Sequence, residues 1–216
     1  MALGYGLSAG AHTLQLNARH DDDSEFGGKS TGSAAYGYAF AKGWRATASL
    51  GSAFRAPTLY QRFSLYGDAS LQPETSRNVE LGLKWAQDAS SFSATVYRNK
   101  VSNLINWVGS TGTCAGNSGP FPGCYANVGK ARYEGVTVAG VTRLAGVQLY
   151  ASLDVQNPKN LDNGKLLARR AKRHATLGAD TQLAGWTLGG EVQANSQRWD
   201  DAANTRRLGG YALFNL

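Results

Sequence analysis

Residues 78–85 read NVELGLKW, and their alternation decides the fold. Val79, Leu81, Leu83 and Trp85 fall on one side of an extended chain, with Asn78, Glu80, Gly82 and Lys84 on the other, because successive strand side chains point to opposite faces. The same period recurs in both directions. WRATASLG aligns Trp44, Ala46, Ala48 and Leu50. VQLYASLDVQ sets Val147, Leu149, Ala151, Leu153 and Val155 against Gln148, Tyr150, Ser152, Asp154 and Gln156. WTLGGEVQAN sets Trp186, Leu188, Val192 and Ala194 against Thr187, Glu191, Gln193 and Asn195. Helical periodicity is absent. Strands of soluble sandwiches are usually about five or six residues long. These alternations run for about ten or more, near the ~9–11 residues that a tilted strand needs to cross a bilayer.

Composition agrees with a membrane barrel. The 216 residues are 42% hydrophobic and 17% charged, with 27 glycines and only 5 prolines. Mean hydropathy is −0.34, and no apolar run approaches the ~20 residues of a membrane-spanning helix. Alternating barrel strands never produce such a run. Trp44, Trp85, Trp186 and Trp199 fall near predicted strand ends, where barrels carry aromatic girdles.

Connections alternate in length. Short turns surround residues 41–43, 87–89, 144–146 and 183–185, and long polar segments occupy 22–30, 54–75, 99–127, 157–169 and 199–207. Outer-membrane barrels show this asymmetry between periplasmic turns and extracellular loops. The predicted fold is all-β, a transmembrane antiparallel barrel of which about eleven strands are present. An odd, incomplete set leaves two edges unpaired, which lipid does not tolerate. Residues 1–216 therefore read as part of a larger barrel domain. Met1 is followed at once by alternating residues and not by a signal peptide, as expected for a piece of a longer exported chain.

The net charge of +7 raises nucleic acid as a partner, but the basic residues are scattered. Arg169, Arg170, Lys172 and Arg173 form the one tight cluster, so no nucleic-acid partner is expected. A basic rim facing anionic lipid, lipopolysaccharide included, or an anionic ligand explains the charge equally well. Cys114 and Cys124 lie in TCAGNSGPFPGCY. A disulfide between them would close a loop of about ten residues, worth ~2–3 kcal/mol on the loop-entropy account, and it implies an oxidising compartment. Without a nearby His or second Cys pair they do not make a zinc site.

Catalytic constellations are thin, and no catalytic or metal-binding residue is assigned. His12, His20 and His174 have no ligand spacing. Asp21, Asp22 and Asp23 could attract calcium, but no EF-hand spacing accompanies them, and a solvated loop edge is the reading. HExxH and GxGxxG are missing, so an enzyme is not expected.

The stretch GSAFRAPTLYQRF, followed by LQPETSRNVELGLKW, resembles the barrel signature of TonB-dependent outer-membrane receptors. Its motif falls on Phe54, Arg55, Ala56 and Pro57, then Leu71, Pro73 and Glu74. HDDDSEFGGKSTG, YRNKVSNLINW, NVGKARYEGV, LLARRAKRHATL and GGYALFNL resemble the cobalamin-receptor branch. The resemblance covers nearly the whole chain, in order. It implies a plugged 22-stranded barrel in the outer membrane, importing cobalamin or another corrinoid with energy coupled through TonB. It also implies that the N-terminal plug, the TonB box and the last strands lie outside this chain. No cofactor is implied, because the calcium loops of that branch belong to the early barrel. Tyr60, Arg62, Phe63, Tyr66, Trp107 and Tyr125 are the candidate ligand contacts, since aromatic faces pack on a macrocycle and Arg pairs with amide or phosphate oxygens. The alternatives are a siderophore or haem receptor of the same family, and a non-transporting adhesin or porin.

Overall fold

The computed structural model describes residues 1–109 and 123–216. From the N-terminus come β1 (Ala2–Ala9), β2 (His12–Asp23), β3 (Gly27–Ala41) and β4 (Trp44–Arg55). A short helix, α1 (Leu59–Phe63), precedes β5 (Glu74–Gln87) and β6 (Ser90–Ser102). A small hairpin, β7 (Ile105–Val108) and β8 (Cys124–Asn127), leads to β9 (Lys130–Leu144) and β10 (Val147–Gln156). Then follow β11 (Lys159–Asn160), β12 (Arg173–Leu183) and β13 (Trp186–Asn195). The pair β14 (Arg198–Trp199) and β15 (Arg207–Leu208) precedes β16 (Tyr211–Asn215).

Eleven of these strands form one antiparallel wall in the order β1-β2-β3-β4-β5-β6-β9-β10-β12-β13-β16, and β11 joins it as a short partner of β9. The sheet is not closed: β1 pairs only with β2, and β16 only with β13. Register divides it into two faces. Opposite residues of an antiparallel pair share a face. One row therefore runs Ala9, His12, Tyr38, Ala46, Leu83, Ala94, Val138, Leu153, Ala175, Ala194 and Ala212 across all eleven strands. The row above it holds Leu7, Leu14, Tyr36, Ala48, Leu81, Val96, Val136 and Val155. The expected apolar sets of β4, β5, β10 and β13 all lie on this one side. Leu81 is 60% exposed and Val96 56%, values that an aqueous domain would not leave in a continuous band but that lipid accepts.

The opposite face is polar. Arg45 Nη1 donates to Thr13 Oγ1 at 2.7 Å. Asp154 accepts from Thr137 Oγ1 and Tyr97 OH at 2.7 and 3.1 Å. Glu191 accepts from Gln193 and Tyr150. A hollow of about 620 Å³ lies against it, lined by residues that include Thr13, Gln15, Thr47, Ser49, Glu80 and Lys84. At Gly178 a Cβ would meet the Tyr150 ring, so glycine lets a large side chain lie flat on this crowded face.

The two ends of the wall differ. At one end the hairpins are tight. Ala145 and Gly146, like Ala184 and Gly185, all have positive φ, as type I′ turns require to match strand twist. The Trp44 and Trp85 rings meet at this end in a tilted contact, 6.3 Å between centroids, and Trp186 begins β13 there. Trp199 differs from expectation: it belongs to the β14–β15 hairpin inside a loop. The segment 22–30 also differs. β2 and β3 pair continuously as far as Asp23 opposite Gly27, leaving only residues 24–26 as a turn. Asp23 Oδ1 accepts the amide protons of Glu25 and Phe26, each at 2.9 Å, which depresses its pKa. A polar strand extension beyond the bilayer still alternates, but without an apolar face it resembles a loop in sequence.

Candidate functional site

The long loops of the second end pack together. Buried hydrophobic residues gather there: Leu71, Val101, Ile105, Cys124, Ala131 and Leu167. The wall itself is a single layer between lipid and lumen, so it has no protein core of its own.

The stretch after β4 shows how the loops are fastened. Arg55 and Glu74 are directly opposite at the root of the β4–β5 connection. They form a two-pronged ion pair, with Arg55 Nε and Nη2 donating to the two carboxylate oxygens at 2.7 and 2.6 Å. Glu74 Oε1 also accepts the buried amide of Ile105 at 2.8 Å, tying in the next loop. Pro57, Leu71, Pro73 and Glu74 are buried, while Phe54 and Ala56 are half-buried. The motif residues therefore form a clamp at the loop root.

Pro57 and the capping box of Thr58 and Gln61 start α1. Thr58 Oγ1 accepts the Gln61 amide at 3.1 Å, and Gln61 Oε1 accepts the Thr58 amide at 2.9 Å, satisfying two helix-start donors. Arg62 points back into the loop. Its guanidinium donates to Ala69 O at 2.7 Å, pairs with Glu25 of the β2–β3 turn, and lies 5.2 Å from the Phe26 ring centroid and 4.7 Å from that of Phe63. Phe63 is 61% exposed.

The other four candidate contacts meet in one cluster. Tyr66 and Trp107 lie 5.3 Å apart at 61°, Trp107 and Tyr125 5.5 Å at 89°, and Tyr125 and Tyr60 6.0 Å at 76°. These are edge-to-face contacts between the α1 loop and the β7–β8 hairpin, favoured by the ring quadrupoles. The Tyr125 amide donates to Tyr66 O at 3.0 Å, holding the two segments in register. Asn127 adds a further tie: its Nδ2 donates to the carbonyls of Gln72 and Asn103, and its Oδ1 accepts the Gln72 amide. Nothing in the sequence around Asn127 signalled this. Cys124 is disulfide-bonded, and Cys114 lies outside the described residues.

The remaining loops continue the packing. Leu167 of the β10–β12 loop sits on Val101 and Ala131. Leu166 exchanges two hydrogen bonds, both 2.9 Å, with the Asn204 side chain of the β13–β16 loop. In the basic cluster, Arg169 donates to Asp200 at 2.9 Å, and Arg206 pairs with the same carboxylate. The hydrogen bond from Arg169 is the main cause that lowers the Asp200 pKa. Asp201 closes its own turn by accepting the amides of Arg206 and Thr205 at 2.7 and 3.1 Å, which lowers its pKa to about 2. His12 and His20 both lie on β2, and His174 lies on β12.

A single-layer sheet with a lipid-type face, a polar hollow face, tight turns at one end and packed loops at the other is a wall of an outer-membrane β-barrel. The sequence profile described as "TonB dependent receptor-like, beta-barrel" matches residues 3–216, and the chain belongs to that family of transport receptors, which cross the bacterial outer membrane by strands. Solved structures share the fold. The ferric enterobactin receptor PfeA of Pseudomonas aeruginosa superposes with TM-score 0.76 at 22% identity over 99% of this chain and 36% of its own. The copper transporter OprC gives 0.77 at 18% identity, covering 99% and 40%. The siderophore receptor PirA of Acinetobacter baumannii gives 0.77 at 16% identity, covering 99% and 38%. The chain thus spans well under half the length of these receptors.

Proposed function

We propose that this chain is the ligand-facing part of a TonB-coupled importer whose cargo is a siderophore-type metal chelate. The observation that carries the proposal is the four-ring cluster of Tyr60, Tyr66, Trp107 and Tyr125 on the extracellular loops. Tyr60 is 60% exposed and Trp107 37%, so aromatic surface remains available to stack on a flat or aryl ligand. Arg62 and Phe63 border this surface from α1, with Arg62 acting through the loop that it braces. Fold neighbours named as ferric enterobactin and siderophore receptors support a chelate over a corrinoid. Cobalamin, the ligand expected from the motif resemblance, has no comparable support among them.

The rest of the machine follows from the open edges of β1 and β16. Unpaired backbone groups are costly in lipid, so further strands complete a barrel of the 22-stranded plugged class. The polar hollow around Glu80 and Lys84 suits a plug domain, through which TonB would act. No catalytic step is assigned to this chain.

The test is uptake by cells that carry the whole receptor, with and without TonB. Energised uptake of a ferric chelate that disappears without TonB is expected. Saturable TonB-dependent uptake of cyanocobalamin alone would reverse the ligand assignment, and TonB-independent diffusion would sink the receptor reading.

A further inference from the structure

The two segments that build the four-ring cluster are almost free of charge. Residues 103–129, which include the β7–β8 hairpin, contain no Asp, Glu, Lys, Arg or His. Residues 56–73, which include α1, contain one cation, Arg62, and one anion, Asp68. Both are already engaged. Arg62 is 9% exposed, and its guanidinium is taken up by Glu25, the Ala69 carbonyl and the Phe26 and Phe63 rings. Asp68 accepts the Ser70 amide and hydroxyl at 2.8 and 2.6 Å, closing its own turn. Glu74, at the root of the hairpin, is held by Arg55 and the Ile105 amide. Among the described residues, cations lie against the rings of Phe26, Phe63 and Tyr211 and against none of the four cluster rings. The basic cluster around Arg169 belongs to a different pair of loops, where Asp200 holds Arg169 and Arg206.

What this surface exposes is apolar: Leu59, Tyr60, Phe63 and Leu65. An anion placed there meets the negative faces of the rings. It also gives up water without gaining a counter-charge, a cost that aromatic contact does not offset. The charge of a ferric chelate follows from its donor groups. A hydroxamate gives up a single proton on binding iron(III), whereas a catechol gives up both of its own. A ferric trihydroxamate is therefore electroneutral, and a ferric tris-catecholate is triply negative.

We infer that the chelate bound by this cluster is electroneutral, of the ferric trihydroxamate type, with its flat chelate rings and alkyl arms against Tyr60, Tyr66, Trp107 and Tyr125. The inference rests on the chelate reading above and adds the charge class of the ligand to it.

The whole receptor in detergent is titrated with three radioiron-labelled complexes: a neutral ferric trihydroxamate, the same complex carrying an added carboxylate, and a ferric tris-catecholate. The neutral complex should bind at least about tenfold more tightly than the tris-catecholate, with the carboxylated form between them. Its affinity should stay within about twofold between about 50 and about 500 mM salt, because no charge pair is there to be screened. The double variant Leu59→Lys/Leu65→Lys adds cations at two exposed positions, next in sequence to Tyr60 and Tyr66, and should narrow the preference about five- to tenfold. Equal or tighter binding of the tris-catecholate by the unaltered receptor would overturn the inference, with no variant needed to fold. A steep loss of neutral-complex affinity with salt, or an unchanged preference in the double variant, would overturn it too. Binding of cyanocobalamin with no ferric complex bound would instead remove the chelate reading, and the inference with it.

Discussion

The wall is one continuous sheet and the loop canopy is built from its connections, yet different physics holds the two. In the wall, any apolar side chain serves on one face and any fitting polar one on the other, since ladder hydrogen bonds and lipid supply the stability. In the canopy, particular atoms matter: Glu74 meets both Arg55 and the Ile105 amide, and Asn127 closes onto Gln72 and Asn103. The wall should therefore tolerate identity changes and resist charge, and the canopy the reverse.

The sharpest break in that comparison is a charge in the wall. Leu81→Arg places a guanidinium within the apolar rows and should cost about 2–4 kcal/mol, read as a lower yield of heat-resistant folded barrel, whereas Leu81→Val should be close to silent. Next comes the canopy clamp. Glu74→Ala leaves the Ile105 amide buried and unpaired, a loss of about 1–3 kcal/mol. It should appear as faster proteolysis of the loops while membrane insertion stays intact. Glu74→Gln keeps an acceptor for that amide and should lie between the two.

A smaller effect should fall on the ligand surface. Trp107→Ala removes the central ring of the cluster, and one aromatic contact is worth about 0.5–1.5 kcal/mol. Chelate affinity should drop by about two- to tenfold, with barrel stability unchanged. The smallest concerns Asp201, whose pKa is depressed to about 2 by backbone amides. A depressed carboxylate contributes stability above its ordinary pKa and loses it as pH falls through the folded value. The Thr205 and Arg206 amide resonances should hold their positions down to about pH 4 and shift with a midpoint near 2, where an uncoupled loop would shift near 4.

The same contrast explains what could be read from sequence. The wall was legible because its signal is local: NVELGLKW states both faces of β5, and the tight turns mark the strand ends. Segment 22–30 failed because polar alternation above the bilayer has no apolar side to reveal it. Trp199 failed because a tryptophan near an interface and one inside a loop hairpin look alike in one dimension. The Phe54–Pro57 and Leu71–Glu74 elements identified the family, but their task as a clamp needed the Ile105 amide, which is far along the chain. Ligand chemistry was least legible, because the motif residues brace the loop root and the exposed rings lie outside the motif.

The central claim is that one wall separates lipid from lumen residue by residue. It is tested most directly by single-cysteine substitution along 78–85 in the whole receptor, labelled with a lipid-soluble or a water-soluble maleimide in native outer membranes. Cysteines at Val79, Leu81 and Leu83 should react with the lipid-soluble reagent and resist the water-soluble one, with those at Glu80, Gly82 and Lys84 showing the opposite or no lipid-phase labelling. Labelling that fails to alternate, or that is uniformly water-accessible, would contradict the account.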